Sequence, residues 1–235
     1  MIKGKLYGIG VGPGDPELMT LKAVRIITEC DMAAGPLANG ENQTAFEIAT
    51  KAVPELEEKP FLSVPMPMTR DLEEANKNRD RAAKMIIEEL SKGKDIAFLT
   101  LGDPTVYSTY LYLHQRVRKA GYDSQIIPGV PSFCAAAAAL ETSLVEGKEP
   151  LVIVPGSYEC TEEMLSVPGN KVLMKTGRAF EEVKGLLKKH GLFDQTQMAE
   201  QCGMEGERVY HTLDEAPQNP HYFSVLLVKP GQEEA

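Results

Sequence analysis

The sequence predicts an α/β protein made of two α/β domains, the first with a parallel sheet flanked by helices and the second with a mixed sheet. Through the first 130 residues, short apolar runs typical of buried strands alternate with stretches at helical spacing. Two of these runs end in a Gly-Asp-Pro corner, at Gly14–Pro16 and Gly102–Pro104. From about Pro150 the strand pattern restarts with fewer helices. We therefore predict domains at 1–130 and 131–235.

Composition restricts the possible functions. The 235 residues are 43% hydrophobic and 25% charged, as is typical of soluble globular proteins. A net charge of −9 without a basic block argues against nucleic acid as the main partner. We find no membrane-spanning run and no signal-peptide pattern, so a cytoplasmic protein is predicted. The scattered four cysteines and four histidines predict reduced thiols and no metal site.

The first corner follows a strand predicted at Lys5–Val11. Gly12–Gly14 make the turn, Asp15 is placed to cap a helix, and Pro16 suits the helix's first position. Pro13 falls where a dinucleotide-binding motif would have its third glycine, so the spacing does not fit that motif. The buried side of the helix is predicted from its apolar residues, Leu18, Leu21 and Val24–Ile27.

The next four elements continue the alternation. Strands are predicted at Asp31–Ala34 and Phe61–Val64, and helices at Thr44–Ala52 and Asp71–Leu90. The first half of the long helix carries a run of charges, which indicates either a solvated face or a partner-binding surface.

The second corner ends a strand predicted at Asp95–Leu99. Gly102 breaks the strand, and Asp103 is placed to cap a helix that has Pro104 at its first position. This corner alone fits either a plain strand–helix turn or a ligand site at the carboxyl end of a strand. Because both corners follow strands of one predicted parallel sheet, we expect them on the same edge. Four residues at helical spacing should face the core: Val106, Tyr110, Leu113 and Val117.

The remaining elements begin with a strand at Ser124–Ile127 and a turn at Pro128–Gly129. Ser132 is the predicted cap of an alanine-rich helix, and the small side chains of Ala135–Ala139 allow either tight packing on a sheet or close approach to a ligand. The second half should contain strands within Leu151–Val154, Lys171–Gly177, Gln197–Gly203 and His221–Pro230, and a helix at Phe180–Lys189.

These motifs resemble those of the tetrapyrrole (corrin/porphyrin) methylase family over nearly the full length. The stretch "GIGVGPGDPELMTLKAVRII" is similar to the family's first signature and "LGDPTVYSTY" to its second. The stretch "IPGVPSFCAAAAA", followed by "EGKEPLVIVPG", resembles the family's third block. Within the family, the second and third blocks most resemble the C20-methyltransferases of precorrin-2 or cobalt-factor II.

The resemblance implies a homodimeric C-methyltransferase that uses S-adenosylmethionine, with the donor in the cleft between the two domains. It further implies methylation of the C20 meso carbon of a reduced tetrapyrrole in cobalamin biosynthesis. Lys175 and Arg178 are candidates for the substrate's carboxylates or are ordinary surface charges, and no catalytic base is assigned. The donor-binding residues implied by motif position are Pro13, Leu101, Gly102, Asp103, Val106, Pro131 and Ser132, and those implied by block order are Met174, Lys175, Thr176, Gly203 and Met204.

Two other functions stay open at this point. The same donor could methylate another tetrapyrrole position, a modified protein histidine or ribosomal RNA. The glycine corners could instead bind a nucleotide-like ligand without catalysis.

Transfer of a methyl group from a sulfonium to carbon requires no metal and no covalent nucleophile, because the thioether leaves as a neutral molecule. Alignment and exclusion of water can then lower the barrier by about 7–11 kcal/mol.

Overall fold

The computed structural model describes residues 3–37, 44–67, 69, 71–156 and 160–230, with only the backbone described at Leu37 and Arg178. The chain divides into two units, Met1–Pro131 and Ser132–Ala235. Each unit contains one five-stranded sheet. None of the helices in the described ranges is both long enough and apolar enough to cross a membrane.

The sheet of the first unit is entirely parallel, as predicted. Its strands lie in the order β3-β2-β4-β1-β5. Because the strands are parallel, the segments that follow β1, β4 and β5 all leave at one edge, which we call the carboxyl edge of the first unit. The strand bounds are β1 Lys5–Gly10, β2 Met32–Leu37, β3 Phe61–Pro65, β4 Ile96–Thr100 and β5 Asp123–Ile127.

Within the described residues, four helices accompany this sheet. Two of them, α3 and α4, bury apolar side chains such as Ile86 and Leu113 against Leu6 and Phe98 of the strands. The charged first half of α3 is largely exposed, in agreement with a solvated face. The helix bounds are α1 Leu21–Glu29, α2 Thr44–Ala52, α3 Leu72–Ser91 and α4 Tyr110–Lys119, with 3₁₀ turns at Pro16–Leu18 and Pro54–Glu58.

The first helix begins later than predicted. Asp15 accepts a hydrogen bond from the Glu17 N–H at 2.8 Å, but it caps only the short turn Pro16–Leu18. The cap of α1 is Thr20, whose hydroxyl accepts from Ala23 N–H at 3.1 Å. Leu21 in the first turn is 89% exposed. The prediction that Leu18 and Leu21 are buried was therefore wrong, since both lie before or at the true helix start.

The helix after the second corner also begins later, at Tyr110. Asp103 does not cap it, because its carboxylate closes a turn within its own segment instead. Tyr107 has a left-handed φ of 47°, which interrupts any helix that started at Pro104. Val106 is consequently half-buried in a loop. The three residues that do lie on the helix are buried as predicted, namely Tyr110, Leu113 and Val117.

Among the described residues of the first unit, Tyr110 is the largest fully buried side chain. Its ring lies against the bare backbone of Gly8, where a Cβ would be 2.0 Å from a ring carbon. The phenol donates to the Gln125 carbonyl at 2.9 Å and lies 2.8 Å from Ser124 Oγ. Burial raises the pKa of Tyr110 to about 12. His114 Nδ1 extends this network, at 2.8 Å from Ser124 Oγ.

We expect the free energy of unfolding to decrease as the pH falls from about 7 to about 5, in part because of His114. Burial first, and then the Arg118 charge, lower the pKa of His114 below its ordinary value of 6.5. The unfolded chain therefore takes up a proton at a higher pH than the folded chain does. The contribution of His114 to stability is fully present when the pH is above the pKa that His114 has in the unfolded chain. It is lost as the pH falls through that value towards the lower pKa in the folded chain. Urea denaturation over this range should give a shallower decrease for His114→Gln, and an unchanged slope would contradict the assignment.

The second unit has the predicted mixed sheet, in the order β6-β7-β10-β8-β9. Among the described strands of this unit, β6 and β7 are the one parallel pair; β10 is antiparallel to both β7 and β8, and β9 is antiparallel to β8. Helix α5 contacts β8 and β10, so its alanines do pack on a sheet. The bounds are β6 Leu151–Pro155, β7 Asn170–Met174, β8 Thr196–Glu200, β9 Arg208–Tyr210, β10 Ser224–Val228, α5 Ser132–Ala139, α6 Thr161–Leu165 and α7 Phe180–Lys189, with 3₁₀ turns at Gly177–Ala179 and Phe193–Gln195.

Candidate active site

The two glycine corners are joined directly at the carboxyl edge of the first unit. Gly10 and Thr100 are in register at the ends of β1 and β4. Just beyond them, Gly102 N–H donates to the Gly12 carbonyl at 2.7 Å and Gly12 N–H donates to the Gly102 carbonyl at 3.3 Å. Both glycines have positive φ, 77° and 69°, which a side chain would disfavour. The expectation that both corners lie on one edge is thus fulfilled by an antiparallel bridge between them.

Asp103 fastens the third loop to this edge. The residue is 8% exposed, and its Oδ2 accepts a hydrogen bond from Gly129 N–H, after β5, at 3.0 Å. Its Oδ1 accepts from the Thr105 N–H at 2.7 Å and also from the Thr105 hydroxyl. The carboxylate therefore ties the loop after β4 to the loop after β5, 26 residues later.

Glycines allow these three loops to approach one another closely. A Cβ on Gly129 would be 2.3 Å from the Gly102 carbonyl oxygen and 2.8 Å from Gly10 backbone atoms. A Cβ on Gly10 would be 2.6 Å from Gly129 N. All of these neighbours are backbone atoms, so they could not move aside as a side chain would. The edge is consequently built from bare main chain held by one buried acid.

The structure gathers the predicted donor-binding residues of this unit around the joined corners. Pro13 is buried beside Gly12, whereas Leu101 and Val106 are half-buried in the loop that contains Asp103. Pro131 is half-buried and ends the loop after β5. The same loop as Val106 carries an exposed aromatic residue in a strained conformation, Tyr107, and the sequence contained no signal for its left-handed φ.

The predicted residues of the second unit also lie at one sheet edge. Strands β7 and β8 run in the same direction on either side of β10, and Met174 and Ala199 both pair with Val225. The segment after β7, with Lys175 and Thr176, therefore leaves at the same edge as the segment after β8. The two are separated by two strand spacings, or roughly 10 Å. Ser132, by contrast, is the first residue of α5.

The segment after β7 has an unusual backbone and a buried hydroxyl. Lys175 has a left-handed φ of 57°, and burial lowers the pKa of its ammonium below the usual range. Thr176 is fully buried, yet its Oγ1 has no hydrogen-bond partner within the described residues. A Cβ on Gly156 would be 2.6 Å from the methyl carbon of Thr176, so this methyl group packs directly against the bare backbone of Gly156. For Arg178, the other predicted substrate residue, the side chain lies outside what the structure describes.

The segment after β8 is held by its own hydrogen bonds. Gly203, with φ 74°, donates its N–H to Glu207 Oε2 at 2.7 Å. Met204 N–H donates to the Gln201 carbonyl at 2.8 Å, and Gln201 itself has a φ of 49°. The predicted residues Gly203 and Met204 thus lie on a tight, left-handed turn at the edge that also carries Thr176.

Sequence reasoning missed a second buried acid, Glu200, at the end of β8. It is 4% exposed. Its Oε2 accepts from the Tyr210 hydroxyl at 3.0 Å and its Oε1 accepts from His221 N–H at 2.5 Å. Its cross-strand partner Ser224 has a buried hydroxyl for which the described chain offers no partner. A glutamate that closes the otherwise uncharged strand "TQMAE" was the available signal.

Each of the two α/β units carries predicted donor-binding residues at one edge of its sheet, as expected for the class of protein that the sequence motifs resemble. The sequence comparisons identify the same class. The chain belongs to the family of tetrapyrrole (corrin/porphyrin) methylases, whose model matches residues 5–217. The resemblance stated from the sequence motifs is therefore confirmed.

The chain is also similar to individual proteins whose names specify a reaction or a pathway. The chain is 31% identical over 239 residues to the cobalt-precorrin-2 C(20)-methyltransferase of Salmonella typhimurium, covering 100% of both chains. It is 33% identical over 180 residues to a probable cobalt-precorrin-2 C(20)-methyltransferase of Methanocaldococcus jannaschii, covering 76% of this chain and 75% of that one. It is also 33% identical over 244 residues to the cobalamin biosynthesis protein CobIJ of Mycobacterium tuberculosis. This alignment covers 99% of this chain but 47% of the relative, so the chain spans about half the length of that protein.

Solved structures share the fold at lower identity. A cobalt precorrin-4 methyltransferase superposes with a TM-score of 0.71 at 20% identity, covering 96% of this chain and 94% of the other. The uroporphyrin-III C-methyl transferase of Thermus thermophilus, solved with S-adenyl homocysteine, gives a TM-score of 0.67 at 20% identity, covering 96% and 97%. At these identities the likeness establishes the fold alone.

Proposed function

We propose that this chain is an S-adenosylmethionine-dependent methyltransferase that methylates the C20 meso carbon of precorrin-2 or cobalt-factor II in cobalamin biosynthesis. The observation that carries the proposal is the end-to-end similarity to a cobalt-precorrin-2 C(20)-methyltransferase, 31% identical over the whole of both chains. The joined glycine corners of the first unit supply the physical support, because they provide a bare main-chain edge of the kind that a nucleoside-like ligand requires.

The residues present fit the methyl donor. The donor needs acceptors for its ribose hydroxyls, donors for its amino-acid carboxylate and small groups around its sulfonium. Asp103 accepts three hydrogen bonds, which leaves one of the about four acceptor positions of a carboxylate free. The Thr176 hydroxyl has no partner within the described chain, and Gly12 presents bare main chain. We propose these groups, with the other predicted donor-binding residues, as the donor site; its position between the two units stays a prediction.

The bound donor supplies an activated methyl group with a neutral thioether as its leaving group. The chain's own contribution is to position both reactants and to keep water away from them. The fixed corners suit this role, since Asp103 and the Gly12–Gly102 bridge hold three loops in one arrangement. For the carboxylates of the tetrapyrrole, we propose Lys175 and Arg178 as the cations. A homodimer, as the resemblance implies, and a cytoplasmic location, as predicted from the sequence pattern, belong to the same proposal.

The proposal is tested by incubating the protein with isotopically labelled donor and either precorrin-2 or its cobalt form. We expect one labelled methyl group on the product by mass spectrometry, and its position at C20 by NMR. A methyl group on another carbon would replace the C20 assignment with that of a different tetrapyrrole methylase. Binding of the donor without transfer to any tetrapyrrole would contradict the proposal and favour the binding-protein alternative.

A further inference from the structure

Tyr107 is one of four described residues other than glycine that have a positive φ. Glu141 has this conformation for a local reason, because it follows the end of α5 and its N–H and the next one bond back to carbonyls of the last turn. Lys175 and Gln201 each directly follow a strand, β7 in one case and β8 in the other. Tyr107 ends neither a helix nor a strand, since it lies within the loop that joins β4 to α4, with a φ of 47°. Its conformation therefore needs another explanation.

Hydrogen-bonded turns on both sides hold the backbone of Tyr107. Before it, the Asp103 carbonyl accepts a hydrogen bond from Val106 N–H at 3.2 Å, and the Asp103 carboxylate fastens the same loop to the loop after β5. After it, the Ser108 hydroxyl accepts from Tyr110 N–H at 3.1 Å, at the start of α4. The left-handed conformation is therefore imposed by the surrounding structure, which is the condition under which strained residues persist.

A tyrosine is an unfavourable residue for this position. A bulky side chain disfavours positive φ, whereas Gly12 and Gly102 adopt it at the same edge without that penalty. Burial in the core does not explain the choice, because Tyr107 is 43% exposed, whereas Tyr110 on the following helix is fully buried. The strained backbone thus presents an aromatic side chain at the carboxyl edge of the first unit. The feature to be explained is the ring itself.

The loop offers two different kinds of surface. The residues predicted to bind the donor, from Leu101 to Val106, come before Tyr107 and include no aromatic ring. Together with the joined glycine corners they form an edge of bare main chain, which suits a nucleoside-like ligand. An exposed ring suits a larger flat molecule, because aromatic faces stack on one another. A side chain on a constrained backbone also loses less freedom when it binds, which favours affinity.

We propose that Tyr107 binds the methyl acceptor, with its ring against the face of the tetrapyrrole macrocycle. The inference rests on the proposed function and assigns a substrate-binding residue to that same site. The macrocycle is a flat ring system that must be held in one orientation for a single meso carbon to meet the methyl group. The cations proposed for its carboxylates act on its periphery, whereas Tyr107 acts on its face.

The test is Tyr107→Asn, which removes the ring and introduces a residue that tolerates a left-handed φ. Absorption titration with the cobalt form of precorrin-2, in the presence of S-adenosylhomocysteine so that no methyl group is transferred, gives the tetrapyrrole affinity. We expect this affinity to fall at least about tenfold. The affinity for S-adenosylmethionine, measured by calorimetric titration, should stay within about twofold of wild type. The melting temperature should be equal to that of wild type or higher, because the strain is relieved.

Each other outcome has a definite meaning. Unchanged tetrapyrrole affinity would overturn the proposal, and so would an equal loss of donor affinity, which would place the ring against the donor. A lower melting temperature or a failure to fold would overturn it as well, since the ring would then serve to hold the loop together. Wild type that binds the donor but no tetrapyrrole would instead overturn the proposed function, and this inference with it.

Three matched variants separate the ring from other effects. Tyr107→Phe retains the ring, so its tetrapyrrole affinity should stay within about threefold of wild type. Tyr112 is exposed to a similar extent, 39%, but lies on α4 with the Arg79 guanidinium 3.6 Å from the centre of its ring. Tyr112→Ala should leave the tetrapyrrole affinity unchanged, and an equal loss there would overturn the proposal. Glu141→Asn relieves a left-handed residue at the end of α5 and should change neither affinity.

Discussion

Replacing Asp103 with alanine should destabilise the first unit by about 2–4 kcal/mol and weaken donor binding at least about tenfold. The substitution leaves the N–H groups of Gly129 and Thr105 without their acceptor in a largely buried place. It also releases the loop after β5 from the loop after β4, on which the proposed donor site depends. Urea denaturation and calorimetric titration with S-adenosylmethionine measure the two effects.

The first corner provides the control for this experiment. Asp15 stands in the same Gly-Asp-Pro motif, but its carboxylate accepts only from Glu17 N–H at an exposed site. Asp15→Ala should therefore cost about 1 kcal/mol or less. Equal losses of stability in the two variants would show that Asp103 acts as an ordinary local cap, which would contradict the role assigned to it here.

Gly129→Ala should abolish methyl transfer and destabilise the protein by about 3 kcal/mol. Its Cβ would be 2.3 Å from the Gly102 carbonyl oxygen and 2.8 Å from Gly10, both of them main-chain neighbours. The loops must then separate, which breaks the Asp103 tie and displaces the residues proposed to bind the donor. Thermal unfolding and the labelled-donor assay give the two readouts.

A glycine in open surroundings is the matched control for Gly129. Gly185 lies within α7, and a Cβ there would meet nothing within 4 Å. Gly185→Ala should raise stability by about 0.5–1 kcal/mol, because alanine favours a helix over glycine. Wild-type stability and activity in Gly129→Ala would contradict the close approach of the three loops.

The sequence was a good guide to features that depend on local chemistry. Bends with glycine follow directly from residue type, and a parallel sheet brings its strand ends to one edge. The start of α4 could not be predicted in the same way. An Asp-Pro pair suits a helix cap and a short turn equally well, and the partner that decides between them, Gly129, lies 26 residues further along the chain.

The second unit was harder to predict for a related reason. Strand β9 has three residues and α6 has five. Both are too short to show the alternation of a strand or the helical spacing of apolar residues in the sequence. The placement of β10 between β7 and β8 is a tertiary choice that no single strand encodes. Glu200 was missed because a charged residue at a strand end is usually exposed, and its burial depends on Tyr210 and His221, which come later in the sequence.

The paired hydrogen bonds between Gly12 and Gly102 have a consequence for how a ligand enters. Neither loop can swing outward alone, since each holds the other through its main chain. Any opening of this edge must be a concerted event in which both bonds break together. The two amide protons should accordingly show the same protection free energy in hydrogen exchange, because one shared opening exposes both of them.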